Sequence, residues 1–389
     1  MAATSGWDAR RWAFVHKWSS LAATLWLLLL CLTGMPLIFH HEIDAALDGQ
    51  PELPALAPGA PTAALDRIVA DALAAHPGSR VDSLGFMQDA PALLVTLRTS
   101  GEGAAAMRRQ VYALQDGRPV SLPPPRSDGA MEVIRRLHTD MYAGLGGTLF
   151  LGAMGVLLVV ALVSGIALYG PFMRKLPFGS IRRGRSTVIR RLDVHNFVGI
   201  VITAWLLVVA LTGIINSLHD PLAAHWRNHQ LADMIDSARR LDHAPIRQLG
   251  SVDAAVQTVL RAAPGMKAGA VFFPGSAFSS PYHYAVFLRG ATPAGSRLLK
   301  PALVDAETGA LVAMEDMPWY VRALFLSQPL HFGDYAGLPL KMIWILLDAA
   351  AIVVLVSGLY LWRRKHLADG HARQGVTLPP PAGRSFPHH

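Results

Sequence analysis

Four apolar runs, each long enough to cross a membrane, constrain this 389-residue chain more than any other feature. A hydrocarbon core takes about 20 apolar residues to span. Trp18 to Phe39, Leu145 to Tyr169, Phe197 to Leu218 and Leu338 to Trp362 each meet that need. Backbone groups in lipid must bond within their own segment, so the four runs are expected as helices. The composition agrees: only 16% of residues are charged, against roughly a quarter in soluble domains. A formal charge of +8 raises the question of nucleic acid. The cations, however, are segregated beside the apolar runs, which points to a lipid bilayer and not to nucleic acid as the partner.

Lysine and arginine placement sets the orientation. Arg10, Arg11 and Lys17 precede the first run. Arg174, Lys175, Arg182, Arg183, Arg185, Arg190 and Arg191 lie between the second and third, and Arg363, Arg364 and Lys365 follow the fourth. All three clusters fall on one side if both termini are cytoplasmic, as expected for a multi-pass protein of a bacterial inner membrane. The expected layout is then 1–41 for the cytoplasmic N-terminus and first span, 138–170 and 195–219 for the second and third spans, and 331–362 for the fourth. Residues 171–194 form a basic cytoplasmic loop and 363–389 a cytoplasmic tail. Two outer segments, 42–137 and 220–330, remain. No small-residue cleavage pattern closely follows the first run, so it is expected to be retained and not to be a signal peptide.

The two halves match. HKWSSLAATLWLLLLCLTG from His16 aligns without gaps to HNFVGIVITAWLLVVALTG from His195. LHTDMYAGLGG around His138 matches LHFGDYAGLPL around His331, and each histidine lies 26 residues before a Ser-Gly, Ser164-Gly165 or Ser357-Gly358. Outer segments match too, LDRIVADALAAHPG from Leu65 with VDAAVQTVLRAAPG from Val252. The expected fold is therefore a four-helix membrane bundle built by parallel tandem duplication. Each half adds a small α+β outer domain, a helix followed by alternating strands such as Leu93-Val95-Leu97 and Tyr284-Val286-Leu288. Asp116-Gly117 and Thr308-Gly309 are expected as hairpin turns.

Superposing the halves sorts the histidines into pairs: His16 with His195, His40 with His219, and His138 with His331. The plainer alternative is that all are interfacial polar residues. Recurrence at fixed spacing favours a role that needs two imidazoles facing each other across a two-fold axis, as in a haem iron held by histidine on both faces. Cys31 is the single cysteine, so a CxxCH attachment is excluded and any haem is held by axial ligation and packing. Gly34 and Gly213 each lie 18 residues after their histidine, five helical turns on, where a glycine admits a porphyrin or another backbone. Ordinary close packing of helices is the alternative. His40 is 24 residues from His16, about 36 Å along a helix and roughly 120° round from it. Pro36 offers a kink to correct this, but its counterpart Ile215 does not. His138 and His331 are thus the expected outer ligands, with His40 and His219 in reserve. His41, His225 and His229 have no matching partner and are expected at the interface or surface.

Trp26 and Trp205 lie ten residues into their helices, about 15 Å deep. They are either an aromatic bridge for electrons or core packing. Asp348 sits ten residues into the fourth run where the second has Gly155. A carboxylate there is costly, and proton uptake, contact with a quinol and a hydrogen bond within the bundle all stay open.

These motifs, from His16 to Lys365, resemble the PepSY-associated transmembrane proteins. The resemblance rests on the His-Lys-Trp opening and Leu-Thr-Gly of the first helix, their copies at His195 and Gly213, and the Leu-His before the second and fourth helices. Length and layout are most similar to inner-membrane dihaem ferric-siderophore reductases of the ferrioxamine type. The resemblance implies two haem b groups with His16, His195, His138 and His331 as axial ligands. It also implies a periplasmic ferric siderophore as substrate and an electron donor that is either a quinol or a cytoplasmic reductase. No Gly-x-Gly-x-x-Gly follows a soluble strand, so no nicotinamide or flavin module is expected here. Two alternatives stand beside this: a haem subunit serving a partner enzyme, and a binding or regulatory protein whose histidines are structural.

Overall fold

The computed structural model describes residues 6–40, 60–87, 90–99, 107–121, 129–173, 176–239, 246–292 and 298–373, with a few single positions between 42 and 57. His41, Arg174 and Lys175 lie outside the described residues. The chain divides into two compact units, one of residues up to 35, 153–211 and from 342, the other of 36–152 and 212–341.

In the first unit the apolar runs are helices, as lipid requires: α1 (Gly6–Ile38), α4 (Gly144–Met173), α5 (Thr187–Ser217) and α10 (Gly337–Arg373). All four are long and apolar enough to cross a membrane. Each extends beyond the apolar run itself, so His16 and His195 lie inside α1 and α5 and not ahead of them. A buried cluster of Ile202, Leu206 and Ala351 takes in Cys31 and Leu162, joining all four helices. Leu25 and Leu346 are each 67% exposed, which a water-facing surface would penalise and an acyl-chain environment rewards.

The second unit contains an antiparallel sheet. Its strands are β1 (Ser79–Phe86), β2 (Ala92–Thr99), β3 (Met107–Ala113), β4 (Pro119–Val120), β5 (Met266–Phe272), β6 (His283–Gly290), β7 (Leu299–Asp305) and β8 (Leu311–Met314). Two separate α+β domains are the sequence expectation. Instead the outer segments join edge to edge, β1 pairing with β5 through Leu84↔Val271, to give the order β4-β3-β2-β1-β5-β6-β7-β8. An edge strand presents unpaired N–H and C=O groups, and here each half covers the other's edge. The alternating positions read from sequence are buried as expected: Leu93, Val95, Leu97, Val286 and Leu288 are all at 0% exposure. Gly117 and Gly309, at φ +71° and +72°, turn the β3–β4 and β7–β8 hairpins in the left-handed region that glycine tolerates.

Helices α2 (Leu65–Ala75) and α8 (Val252–Ala262) cover one face of the sheet. Asp66 accepts from the Val252 N–H at 2.8 Å and Asp253 accepts from the Asp66 N–H at 2.9 Å. Each acidic side chain thus caps the other half's helix N-terminus. On the opposite face, among the described residues, a helical layer covers the second half. There α6 (His219–Trp226), a π-turn at Arg227–Leu231 and α7 (Ala232–Arg239) pack Trp226, Leu231, Met234 and Ile235 on Ala285, Phe287 and Leu303.

Two short helices, α3 (Ala130–Thr139) and α9 (Trp319–Phe332), precede α4 and α10. They are separate elements, not the first turns of the second and fourth spans. Met141 and Tyr142, at φ +51° and +59°, break the chain after α3, and Gly333 and Gly337 break it after α9.

Candidate functional site

The first histidine pair lies wholly in the helical unit. His16 on α1 and His195 on α5 have ring centroids 6.4 Å apart with planes at 74°. His16 Nδ1 lies 2.8 Å from the Ala161 carbonyl of α4, and His195 Nδ1 lies 3.0 Å from the Val354 carbonyl of α10. A carbonyl only accepts, so Nδ1 carries the proton in both rings and Nε2 keeps its lone pair for a metal. Ser357 Oγ reaches His195 Nδ1 at 2.9 Å, whereas Ser164 Oγ stands 3.4 Å from His16 Nδ1. The glycines that follow these serines make room for the rings. A Cβ on Gly165 would stand 3.2 Å from His16 Cε1, and one on Gly358 the same 3.2 Å from His195 Cε1.

The second pair lies wholly in the other unit. His138, near the end of α3, and His331, near the end of α9, have ring centroids 6.3 Å apart with planes at 64°. Thr212 Oγ1 lies 3.1 Å from His331 Nδ1, and a Cβ on Gly213 would meet His331 Cε1 at 3.2 Å. Gly213 seats the ring of His331, and the glycine that seats His195 is Gly358. Gly34 occupies the matching place in α1. The Ser-Gly dipeptides, which sequence marks only as repeat signposts, carry the first pair's contacts.

The reserve pair has other neighbours. His40 Nδ1 bonds to the Leu37 carbonyl at 2.8 Å and its ring faces Phe332 at 6.2 Å. His219 sits beside Asp220 at 3.1 Å and faces Phe325. Helix α1 ends at Ile38 and α5 at Ser217, so both histidines fall past the helices from which their phase was projected.

A distance scale separates the ways two imidazoles meet one metal ion. A metal–imidazole bond of about 2.0–2.1 Å, with the ring centre roughly 1.2 Å beyond the nitrogen, puts trans ring centres about 6.4 Å apart and cis ones nearer 4.5 Å. Both pairs therefore stand at trans spacing. Among the described residues no group of three or more His, Cys, Asp or Glu side chains converges on a metal position. Two imidazoles at that separation could hold an ion whose remaining donors belong to a macrocycle.

Trp205 packs edge-on against Trp344, with centroids 6.3 Å apart and planes at 87°. Sequence gives no reason to single out Trp344, because the first half has Leu151 at its place. Trp26 lies at the matching point of α1. Asp348, one turn beyond Trp344, is 7% exposed and stands near the Cys31 thiol.

A family model described as the PepSY-associated TM region matches residues 13–365. An uncharacterized protein of Pseudomonas aeruginosa is 25% identical over 276 residues, covering 63% of this chain. The match spans 66% of that relative's length, just under two thirds.

Proposed function

The chain belongs to the PepSY-associated transmembrane family, and from that premise we propose that it is a b-type dihaem reductase passing electrons across a bacterial inner membrane to a periplasmic ferric siderophore. One observation carries this reading: two histidine pairs have ring separations of 6.4 and 6.3 Å, the spacing of trans axial ligands. His16 and His195 would hold one haem b, and His138 and His331 the other. A haem held in this way supplies one-electron exchange at its iron.

The surrounding residues fix how those imidazoles are presented. Carbonyls of Ala161 and Val354 hold the Nδ1 protons and so set the tautomer and ring angle of the first pair. Thr212 holds His331 in the second. The glycine seats let each ring lie against a helix backbone, where a larger side chain would push it off axis. The halves are a tandem duplication, their sheet portions are PepSY-like domains, and both termini face the cytoplasm. Electrons enter from a quinol or a cytoplasmic reductase. A hydroxamate siderophore suits the outer side, because hard oxygen donors hold Fe(III) far more tightly than Fe(II), so that reduction releases the ion.

Two measurements test this. Purified protein reduced with dithionite should show a b-type α-band, and its absence removes the haem reading. Mixing the reduced protein with a ferric hydroxamate should reoxidise it faster than a chelate-free control. Equal rates would leave a cytochrome that serves some other acceptor.

A further inference from the structure

The same distance scale identifies a further histidine pair of a different kind. His225 and His229 project from the turn where α6 passes through the π-turn into α7, and both are exposed. Their ring centroids are only 4.2 Å apart with planes at 34°. For ring centres about 3.2 Å from a shared ion, that spacing subtends roughly 80°, a cis arrangement. It cannot accommodate trans ligation.

We propose that His225 and His229 form a surface site for a divalent first-row transition-metal ion, bound cis with its other positions left to water. The tautomer is set for this. His229 Nδ1 lies 2.8 Å from the His225 carbonyl, so it must donate there, and Nε2 keeps the lone pair. The turn is also held in place. Trp226, between the two histidines, is 6% exposed and packs edge-on against Phe287 of the sheet at 6.2 Å. Gln230, next after His229, donates its amide to Glu315 Oε2 at 3.1 Å, tying the turn to the segment after β8. Tyr320 stands 5.9 Å from the His225 ring and supports its other side. A π-turn inserts one residue into the helix, and such turns recur at functional sites. Two imidazoles alone make an open, exchangeable site whose metal preference follows availability and the Irving–Williams order. The first half has no matching pair of histidines, so the site belongs to one half only and does not depend on the haem reading.

Calorimetric titration tests the site on the full-length, tag-free protein in detergent, with Ni²⁺ as probe. The expected result is one equivalent bound by the wild type. His229→Gln and His225→Gln should each weaken that step by roughly tenfold or more, and the double variant should abolish it. Both residues are exposed, so the melting transition and visible spectrum should not change, which separates this outcome from any failure of the haem assignment. A wild type that binds no Ni²⁺ overturns the proposal. So does a double variant that binds it as the wild type does, since the ion would then sit elsewhere on the chain.

Discussion

The first and second halves of this chain solve the same local problem with the same residues, yet they are not equally clothed. In the first half His16 rests on Ser164-Gly165, and in the second His195 rests on Ser357-Gly358, with the same 3.2 Å clearance above each glycine. Each of these two seats is built within one half. The His16–His195 and His138–His331 pairs, by contrast, each take one ring from each half. The sheet follows the second pattern, with β1 of one half against β5 of the other and the two helix caps exchanged between Asp66 and Asp253. Positioning is local and pairing is shared, so a defect in one half is expected to disable a site that both halves own. What differs, among the described residues, is the covering: the α6–α7 layer lies behind the strands of the second half.

The largest test of that comparison removes a ligand. If the proposed dihaem function holds, His195→Ala should lose one haem and His331→Ala the other, each leaving the second intact in a pyridine haemochrome assay. His40→Ala should retain both. If His195→Ala and His331→Ala deplete the same haem, the assignment of one site to each pair fails. Next in size is the uneven covering. Trp226→Ala should cost about 3–5 kcal/mol, read as lost hydrogen-exchange protection in β6 and β7. Strands β2 and β3 of the first half should change far less, and equal loss across the sheet would mean that the halves unfold as one.

A smaller effect is expected at the seats. Gly165→Val and Gly358→Val bring a branched side chain to where a Cβ alone already stands 3.2 Å from Cε1. Each should weaken haem retention by roughly 10–100-fold, the range for disturbing a ligand's supporting contacts. The two should match. A clear difference would show that Ser357, at 2.9 Å from its ring where Ser164 is at 3.4 Å, makes the second seat the firmer one.

Much of this was legible in sequence because it is local or repeated. The apolar runs, the hairpin turns at Gly117 and Gly309, and the histidine pairs all follow from periodicity or from aligning one half on the other. The joined sheet was not legible, because Leu84 meets Val271 across 187 residues and nothing in either strand names its partner. Helical phase reaches only as far as its own helix. Phase put Gly213 on the face of His195 but could not name the ring it meets, because His331 arrives from α9. The neighbour of Asp348 was equally hidden, since Cys31 looks like any small apolar residue in its run.

The smallest effect concerns the two hairpins, where one carboxylate distinguishes the halves. Asp305 opens the β7–β8 turn, and its Oδ1 accepts from the Thr308 N–H at 2.7 Å, the Thr308 hydroxyl at 2.8 Å and the Glu307 N–H at 3.1 Å. The β3–β4 turn has the same backbone closure, but Ala113 stands in that place. Burial pushes the Asp305 carboxyl upward, yet the hydrogen bonds from Thr308 and Glu307 outweigh it and hold the group below its ordinary value. A carboxylate lowered in the folded state contributes its full stability above the unfolded pKa and loses it as pH falls through the folded one. Acidification should therefore loosen the β7–β8 turn and leave the β3–β4 turn unchanged on this account. Asp305→Ala should remove that pH dependence and about 1 kcal/mol of local stability. Amide exchange at Thr308 and Gly309, followed from neutral to acid pH, is the measurement. The idea fails if exchange at Gly117 accelerates in parallel, because the acid response would then belong to the sheet as a whole and not to Asp305.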